Sequence, residues 1–349
     1  MKKHDVLIFF HHDVVSNQSN PRITSYISYL KKQGHTPCFR FVKSTVHNRV
    51  PYWKHYLSLL FSPAYSFAYF YSPNALVIPM YVICKLRGIP VVVEKTELDS
   101  VKPHENWKDW VNKFLYKFDE LVFPLCASQL VVISTKLKEF YSKKNIKITL
   151  VGAFLFEIIE AAKPPSHSDS STFKIGYLGS SAQKDDLKTL LKAFSQLKKE
   201  IPQAELNLYG SNFNKSSIGA EKGVKVHGFL DRSLIQQTLK ANDVLVAIRN
   251  KHEYSDYGFP SKLTEYFASK QPIIASKSSD IPQLFRHKEQ LYLIDPESPN
   301  QLFEALKWCA LNKSEACAMG QRGYQWALEK WNSELVLNSW YQACLRHVK

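Results

Sequence analysis

Residues 258–268 bring together residue types that suit the binding of a phosphate and a sugar. A Gly-Phe-Pro turn leads into a segment in which Leu263, Phe267 and Ala268 share one helical face, and Pro272 ends that segment before a β-branched apolar run. The pattern predicts a loop, a helix and then a buried strand.

The start of this helix is suited to an anion. Pro260 is favourable at the first helical position, which places Ser261 and Lys262 in the first turn. Backbone N–H groups and the positive end of the helix dipole favour a phosphate there. Glu265 lies three positions beyond Lys262, so its carboxylate faces the same side and can accept hydrogen bonds from sugar hydroxyls. The alternative is that Glu265 is a solvated helix residue and Lys262 only a surface charge.

The sequence Pro-Ser-Lys-Leu-Thr-Glu-Tyr at 260–266 resembles the nucleotide-sugar site of the retaining GT-B glycosyltransferases of family 4. A Pro-Ser-Lys-Leu-x-Glu-Tyr form is common in that family. The resemblance implies that Glu265 is the second glutamate of a Glu-x7-Glu signature and binds the donor's ribose. Tyr257 stands where the first glutamate would fall, and Glu253 and Asp256 are the nearest carboxylates. Either of them is expected to take the sugar hydroxyls.

A second departure from the family concerns the cations that bind the donor diphosphate. In many members an arginine follows the glycine that matches Gly179, and a lysine stands a few residues further on. Ser180 and Asp185 occupy those positions here, and Lys184 matches the lysine if the loop shifts by one residue. Arg249, just after an apolar strand, is a further candidate for the phosphate, and a solvated loop arginine is the alternative.

The resemblance implies three sets of site residues. The donor-binding candidates are Gly179, Ser180, Lys184, Arg249, Gly258, Phe259, Pro260, Ser261, Lys262, Leu263 and Glu265. The catalytic candidates are Lys262, Glu265 and Asp256. The acceptor-side candidates are His12, Arg22 and Glu97. No metal and no cofactor are expected beyond the nucleoside diphosphate sugar itself.

The first half of the chain alternates strands and helices. Its predicted elements are strands at 6–10, 36–42, 68–71, 89–93 and 130–134 and helices at 22–32, 75–86 and 135–141. The loop after the first strand lacks the glycines that relatives carry there, so side chains such as His12 or Asn20 would make any ligand contact. The alternative is that the histidines only cap the strand. Glu97 follows a parallel strand at the end where open α/β sheets bind ligands, although a solvated loop carboxylate is the alternative.

The second half repeats this order after a Pro/Ser/His/Asp run at 161–171. Its predicted elements are strands at 173–178, 206–210, 224–229 and 241–246 and helices at 187–194, 301–308, 314–328 and 334–345. This order of strands and helices resembles that of the same glycosyltransferases, and the resemblance implies an α/β protein of GT-B fold, with two Rossmann-like doubly wound domains facing a cleft. The expected domains are an acceptor-side domain at 1–163, a nucleotide-sugar domain at 172–331 and a crossover helix at 332–349 that packs back on the first domain.

Composition narrows the class of protein. The chain has 349 residues, of which 45% are hydrophobic and 22% charged, as in soluble globular proteins. Its six cysteines show no metal-binding spacing, which favours free thiols in a reducing cytosol. The first apolar run is too short and lacks a cleavage site, so a strand is expected there and not a signal peptide. No nucleic-acid-binding motif is present, so nucleic acid is not an expected partner.

Positive charge is concentrated in the first half. Residues 1–163 hold 22 Lys and Arg against 12 Asp and Glu, and residues 164–349 hold 24 against 19. Within 43–72, basic residues alternate with aromatic ones, which suits the headgroup region of an anionic membrane; an aromatic helix packed on the sheet is the alternative. Prolines interrupt the apolar stretch, so no transmembrane span is expected. The predicted location is the cytoplasm, with peripheral association on the inner face of the cytoplasmic membrane.

The residues and the resemblance together favour a retaining, metal-independent glycosyltransferase of hexosyltransferase type. It would move a sugar from a nucleoside diphosphate to a saccharide or polyprenyl-linked acceptor in surface polysaccharide assembly. The missing first glutamate and the altered cation pair keep a second class open, an inactive GT-B subunit that only binds. A nucleotide-sugar epimerase of GT-B shape is a further alternative.

Overall fold

Parallel strands make up both sheets of the protein, and the strand order of each is that of a doubly wound fold. The computed structural model describes residues 5–10, 20–41, 52–61, 65–103, 107–156, 172–180, 184–211, 213 and 222–348. Each sheet has six strands, in the orders β2-β1-β3-β4-β5-β6 and β12-β11-β10-β7-β8-β9. The chain divides into two units: unit 1 is Met1–Gly152, Tyr257–Phe259 and Ser333–Lys349, and unit 2 is Ala153–Asp256 and Pro260–Asn332.

Unit 1 contains the first sheet and the helices that cover it. Its strands are β1 Asp5–Phe10, β2 Thr36–Phe41, β3 Ala68–Tyr71, β4 Val91–Lys95, β5 Gln129–Val132 and β6 Ile148–Leu150. Its helices are α1 Pro21–Lys32, α2 Tyr52–Leu60, α3 Ile78–Leu86, α4 Trp107–Cys126, α5 Thr135–Ser142 and, at the end of the chain, α13 Ser333–Leu345. Short 3-10 turns lie at Ala75–Val77 and Asp99–Val101.

Unit 2 contains the second sheet. Its strands are β7 Phe173–Ser180, β8 Ala204–Ser211, β9 Val224–Gly228, β10 Val244–Ala247, β11 Ile273–Ser276 and β12 Tyr292–Ile294. Its helices are α6 Leu187–Glu200, α7 Ile235–Lys240, α8 Glu253–Tyr257, whose last residue falls in unit 1, α9 Lys262–Ser269, α10 Ile281–Leu284, α11 Pro299–Leu311 and α12 Lys313–Lys330. A 3-10 turn at Arg232–Leu234 precedes α7.

Local sequence explains how these elements begin and end. All residues of β4 and β5 are buried, as expected for central strands of a parallel sheet with both faces covered. The Asn20 side chain accepts hydrogen bonds from the amides of Arg22 and Ile23, and Pro21 occupies the first turn of α1. Gly34, at a φ of +83°, ends the turn after α1 in a conformation that glycine adopts at little cost.

The last helix packs on unit 1 through aromatic stacking. Trp340 of α13 is fully buried, and its ring stacks on that of Tyr26 from α1 at a centroid distance of 4.0 Å. Tyr69 of β3 meets Trp340 edge-on at 5.4 Å. The predicted helix at 334–345 is therefore confirmed, and it contacts the first unit.

Most predicted elements are present, with local differences. The helix predicted at 75–86 is divided into a 3-10 turn and α3, and the strand predicted at 89–93 covers Val91–Lys95. No helix was predicted at Trp107–Cys126, where α4 is 20 residues long. The predicted linker at 161–171 and the loop containing His12 lie outside the described residues. Of the predicted interfacial segment at 43–72, residues 43–51 and 62–64 also lie outside them.

We expect Trp340→Ala to destabilise unit 1 by about 3–5 kcal/mol, because the substitution leaves a cavity where a fully buried ring stacks on Tyr26. Leu335→Ala is the matched control on the same helix, because that side chain is 67% exposed. Urea denaturation followed by far-UV circular dichroism measures both. Equal midpoints for the two variants would contradict the anchoring role of the stack.

Candidate functional site

Lys262, the first residue of α9, is held by a carboxylate and a phenol in unit 2. Its Nζ donates to Asp185 Oδ2 at 3.0 Å and to Tyr177 OH at 3.2 Å, and it lies 4.3 Å from the centre of the Tyr177 ring. The pKa of Lys262 is lowered by burial, which outweighs the opposite effect of Asp185. The cation predicted at the helix start is thus largely buried and paired with Asp185, at the position where the resemblance led us to expect a lysine.

Gly179 gives this ion pair its space. A Cβ at Gly179 would lie 2.8 Å from Lys262 Nζ and 3.2 Å from Asp185 Oδ2. Gly210 is the partner of Gly179 in β8 and has a φ of +135°; a Cβ there would lie 1.6 Å from the Gly179 carbonyl oxygen. A side chain at position 179 would therefore push against this charge pair, whereas Gly210 requires glycine for its backbone conformation and close strand approach.

Arg249 and Lys184 lie on two paired segments next to this site. Asp185 forms an isolated bridge with Arg249, and Asn250 N donates to Lys184 O at 3.1 Å. Arg249 is buried, its NH1 donates to Ser255 O at 2.8 Å, and its charge contributes to lowering the pKa of Lys262. Lys184 Nζ lies 4.1 Å from the centre of the Tyr254 ring. The structure therefore brings Arg249 into the electrostatic field of Lys262.

Glu265 lies one turn beyond Lys262 on α9. Burial raises its pKa to about 7, although the positive charges of Arg232 and Lys262 act in the opposite direction. Its backbone carbonyl accepts from Gln236 Nε2 at 3.1 Å, which ties α9 to α7. A carboxyl with this pKa is divided between its charged and neutral forms near neutral pH.

The first turn of α9 differs from the prediction by two residues. The helix begins at Lys262 with Ser261 at the N-cap, so Pro260 precedes the helix instead of forming its first residue. The amides of Leu263 and Thr264 donate to Pro260 O and Ser261 O at 3.1 Å each. Leu263 is therefore the first residue whose amide donates a hydrogen bond within this turn, and the amides of Ser261 and Lys262 come before it in the chain. Leu263 is fully buried in unit 2, so it packs in the core beneath this turn.

The position of the family's first glutamate is occupied by a packed tyrosine. Tyr257 belongs to unit 1, where its carbonyl accepts from Ser134 Oγ at 2.5 Å and its ring meets that of Phe140 at 5.6 Å. Gly258 and Phe259 follow in the same unit, and both are buried. In unit 2, Asp256 Oδ1 accepts from Ser279 N at 3.3 Å.

Of the acceptor-side candidates, the structure describes Arg22 and Glu97. His12 lies outside the described residues, as does the side chain of Ser180 on the donor side. Arg22 is 5% exposed; its guanidinium donates to Glu94 Oε1 at 2.7 Å and to the carbonyls of Gly152 and Val151. Glu97 is half-buried after β4. The acceptor-side role of these residues stays a prediction, and the contacts of Arg22 are those of a structural cation.

Two residues of the site were not singled out from the sequence. Tyr177 shares a face of β7 with Gly179, because side chains two positions apart in a strand point the same way, and that spacing was a usable signal. Arg232 lies 33 positions before Glu265, so no local pattern connects them. Among the described residues, no group of three or more His, Cys, Asp or Glu side chains is arranged to hold a metal ion.

The two sheets and their helices define the protein as one of GT-B fold, and solved structures match it over nearly the whole chain. One is Alr3699/HepE of Anabaena, in complex with UDP and glucose, at TM-score 0.74, 13% identity and coverage of 97% of this chain and 98% of that one. Another is sucrose-phosphate synthase of Thermosynechococcus elongatus, at TM-score 0.75, 14% identity and coverage of 97% and 98%. A glycosyltransferase from Rickettsia africae matches at TM-score 0.72, 14% identity and coverage of 99% and 100%.

The sequence comparison agrees with the fold for the second unit. Residues 158–326, just under half of the chain, match the family described as Glycosyl transferases group 1. No curated protein matches the whole sequence significantly. The family match contains Lys262, Glu265, Asp185 and Gly179, so the site described above lies within it.

We expect the half-buried Glu265 carboxyl to give the protein a pH-dependent stability. Its pKa of about 7 lies above the unfolded value of about 4.3, so between roughly pH 4.5 and 7 the folded chain binds more protons than the unfolded chain. Its contribution to the free energy of unfolding is therefore lost as pH rises through that window. Between pH 5 and 8, the free energy of unfolding of the parent should fall by about 1–3 kcal/mol more than that of Glu265→Gln.

Urea denaturation at pH 5, 6, 7 and 8 measures this difference. Glu329→Gln is the control, because that glutamate is exposed on α12. A parent and a Glu265→Gln variant with parallel pH profiles would show that the carboxyl is ionised in the folded state throughout.

Proposed function

We propose that the protein is a retaining glycosyltransferase of family 4 type, acting on a nucleoside diphosphate sugar. The observation that carries the proposal is the largely buried Lys262 at the start of α9 with Glu265 one turn further on, within the segment that matches the group 1 glycosyl transferases. The sugar leaves a diphosphate and passes to a hydroxyl of the acceptor. This is hexosyl transfer, and the chain's own residues must stabilise the departing diphosphate.

Lys262 is the residue we assign to that task. The bond from the sugar's anomeric carbon to the diphosphate oxygen breaks, and negative charge grows on that oxygen. A bond forms from the anomeric carbon to the acceptor oxygen, whose proton passes to the departing diphosphate oxygen. A buried ammonium stabilises growing charge more strongly than an exposed one, because water screens it less. Asp185 already holds this ammonium at 3.0 Å. A diphosphate must therefore either share Lys262 with Asp185 or displace the Asp185 carboxylate from it. Nearby Arg249 adds positive charge.

Glu265 is assigned to the donor's ribose. Its ionised form accepts hydrogen bonds from hydroxyls, whereas its protonated form offers one donor of its own. Because its pKa is about 7, donor affinity should rise as pH rises from 6 to 8. Asp256 or Glu253 takes the sugar hydroxyls in this proposal, since Tyr257 occupies the place of the family's first glutamate.

The solved relatives support the choice of ligand class. The Anabaena structure contains UDP and glucose, and the Staphylococcus aureus TarM structure, at TM-score 0.64 and 16% identity, contains UDP and α-GlcNAc-glycerol. We extend this to a saccharide or polyprenyl-linked acceptor in surface polysaccharide assembly. No helix of the described residues is long and apolar enough to cross a membrane. We place the protein in the cytoplasm, associated with the inner face of the anionic membrane.

A specific observation favours a second candidate. Asp185 puts a carboxylate beside Lys262 where many relatives have a lysine, and such a carboxylate opposes a diphosphate. A GT-B subunit that binds and no longer transfers would tolerate this arrangement. Hydrolysis or transfer of any donor by the purified protein would exclude that candidate. The donor to test is the nucleotide sugar that raises the thermal stability of the protein most in a panel of such donors.

We expect Glu265→Gln to keep the fold and to weaken donor binding by about 1–3 kcal/mol, the usual cost of losing a charge-assisted hydrogen bond. The loss should be larger at pH 8 than at pH 6, because the parent carboxyl is ionised at the higher pH. Titration calorimetry with the best nucleotide sugar measures both effects. Affinity that equals the parent's at both pH values would remove Glu265 from the site.

We expect Lys262→Ala to lower turnover by about a hundredfold or more, the scale seen when one preorganised electrostatic group is lost. Affinity for the donor should fall less, because the charge on the diphosphate grows as it leaves. Lys184→Ala should have a smaller effect, and Lys188→Ala, exposed on α6, is the matched control.

Removing Lys262 leaves the Asp185 carboxylate without this cation, so a fall in stability must be separated from a fall in catalysis. The double variant Asp185→Asn/Lys262→Met removes both charges and keeps the apolar stem. Turnover of folded protein is compared for all variants by donor hydrolysis. Unchanged turnover in both Lys262→Ala and the double variant would place the diphosphate elsewhere.

A further inference from the structure

The long helix α4 exposes an apolar stripe along its outer side. Its large apolar side chains are between 42% and 72% exposed, and these are Trp107, Trp110, Val111, Phe114, Phe118, Leu121 and Leu125. Their spacing of three and four residues places them on one face of the helix. Helices of this length normally turn such a face towards the core, whereas α4 buries a different side.

The acidic residues in the middle of α4 point inward. Asp119 is fully buried, where it accepts from Lys95 Nζ at 2.6 Å and from Tyr81 OH at 3.2 Å. Glu120 is also buried, and burial raises its pKa. The lysines of the same helix stay at the surface, with Lys117 exposed and Lys113 partly exposed. Lys113 and Lys117 therefore line one border of the stripe, while two of the helix's carboxylates are enclosed.

The neighbouring helix α3 continues this surface. Lys85 Nζ donates to Leu125 O at 2.7 Å, which brings the end of α3 against the end of α4. Leu86, next along the chain, is 82% exposed, and Val82 is also exposed. We call the stripe on α4 together with Val82 and Leu86 the apolar face of unit 1.

We propose that this apolar face lies on an anionic lipid surface, with α4 parallel to the membrane. Tryptophan and phenylalanine suit the boundary between headgroups and acyl chains, where an amphipathic helix buries its apolar side about 5–10 Å deep. Lys113, Lys117 and Lys85 then reach anionic headgroups. The first half of the chain, with 22 Lys and Arg against 12 Asp and Glu, is complementary to such a surface.

A second copy of the chain fits this face less well. Two copies that met through it would bring their bordering lysines together, and like charges in contact oppose association. An anionic surface satisfies the apolar stripe and its lysines at once. The inference deepens the membrane association proposed above and rests on it; it adds α4 to the segment expected from the sequence, 43–72, as a membrane contact.

Flotation with lipid vesicles tests the proposal. The full chain should float with vesicles containing anionic phosphatidylglycerol and bind neutral phosphatidylcholine vesicles at least about tenfold more weakly, with binding falling as salt increases. Phe114→Ser/Leu121→Ser should lower the partition coefficient by about tenfold or more. Phe229→Ser/Leu311→Ser changes two similarly exposed apolar residues of unit 2 and should leave the partition coefficient unchanged.

Charge is tested with a matched pair of variants. Lys113→Glu/Lys117→Glu should abolish the preference for anionic vesicles, whereas Lys188→Glu/Lys192→Glu, the same charge change on α6 of unit 2, should reduce it much less. Brominated lipids report the contact directly, because they quench tryptophan that enters the bilayer. The quenching of the parent should largely disappear in Trp107→Phe/Trp110→Phe, which keeps the stripe apolar.

Three results would overturn the proposal. Vesicle binding that the α4 variants leave unchanged would assign membrane contact to another surface. No vesicle binding, together with a dimer in sedimentation that Phe114→Ser/Leu121→Ser dissociates, would make the face a contact between copies. If the protein neither binds vesicles nor forms a dimer, the proposed lipid partner of this face is wrong. Donor hydrolysis in vesicle-free buffer tests the glycosyltransferase proposal separately, so failure of either is distinguishable.

Discussion

The candidate site depends on one buried ion pair, Lys262 with Asp185. Taking an ammonium out of water is costly, and a carboxylate at 3.0 Å offsets that cost. Several features serve this pair: Gly179 leaves room for it, Tyr177 accepts a further hydrogen bond, and the bridge between Asp185 and Arg249 positions the carboxylate. The same pair sets the chemical problem of the site, because an incoming diphosphate meets a cation that already has a partner.

Unit 1 uses the same principle at the end of β4. Glu94 accepts from Arg22, and the next residue, Lys95, donates to Asp119, so consecutive residues at the carboxyl end of a central strand form two buried ion pairs, on opposite faces of the sheet. These pairs connect β4 to α1 and α4. They also draw the charge of Asp119 into the interior, which leaves the outer side of α4 apolar with lysines at its border. The internal ion pairs and the exposed face are therefore consequences of one arrangement.

Prediction from sequence succeeded where local pattern is strong. Apolar runs bounded by turn residues identified the strands, and the spacing of Leu263, Phe267 and Ala268 identified α9. It missed α4, although the apolar residues of that helix recur at intervals of three and four, so a usable signal was present. The start of α9 was misplaced by two residues, which is ordinary for a boundary where a proline precedes the helix.

The sequence by itself determined the alternation of strands and helices, the candidate roles of Lys262 and Glu265, and the positive first half of the chain. Only the tertiary structure decided the state of those charges. Lys262 meets Asp185 across 77 positions, and Glu265 lies near Arg232 across 33. Burial and such distant partners shift a pKa through desolvation and Coulomb interaction, both of which depend on separation in space. Local periodicity carries no information about either, and the outward side of α4 was hidden for the same reason.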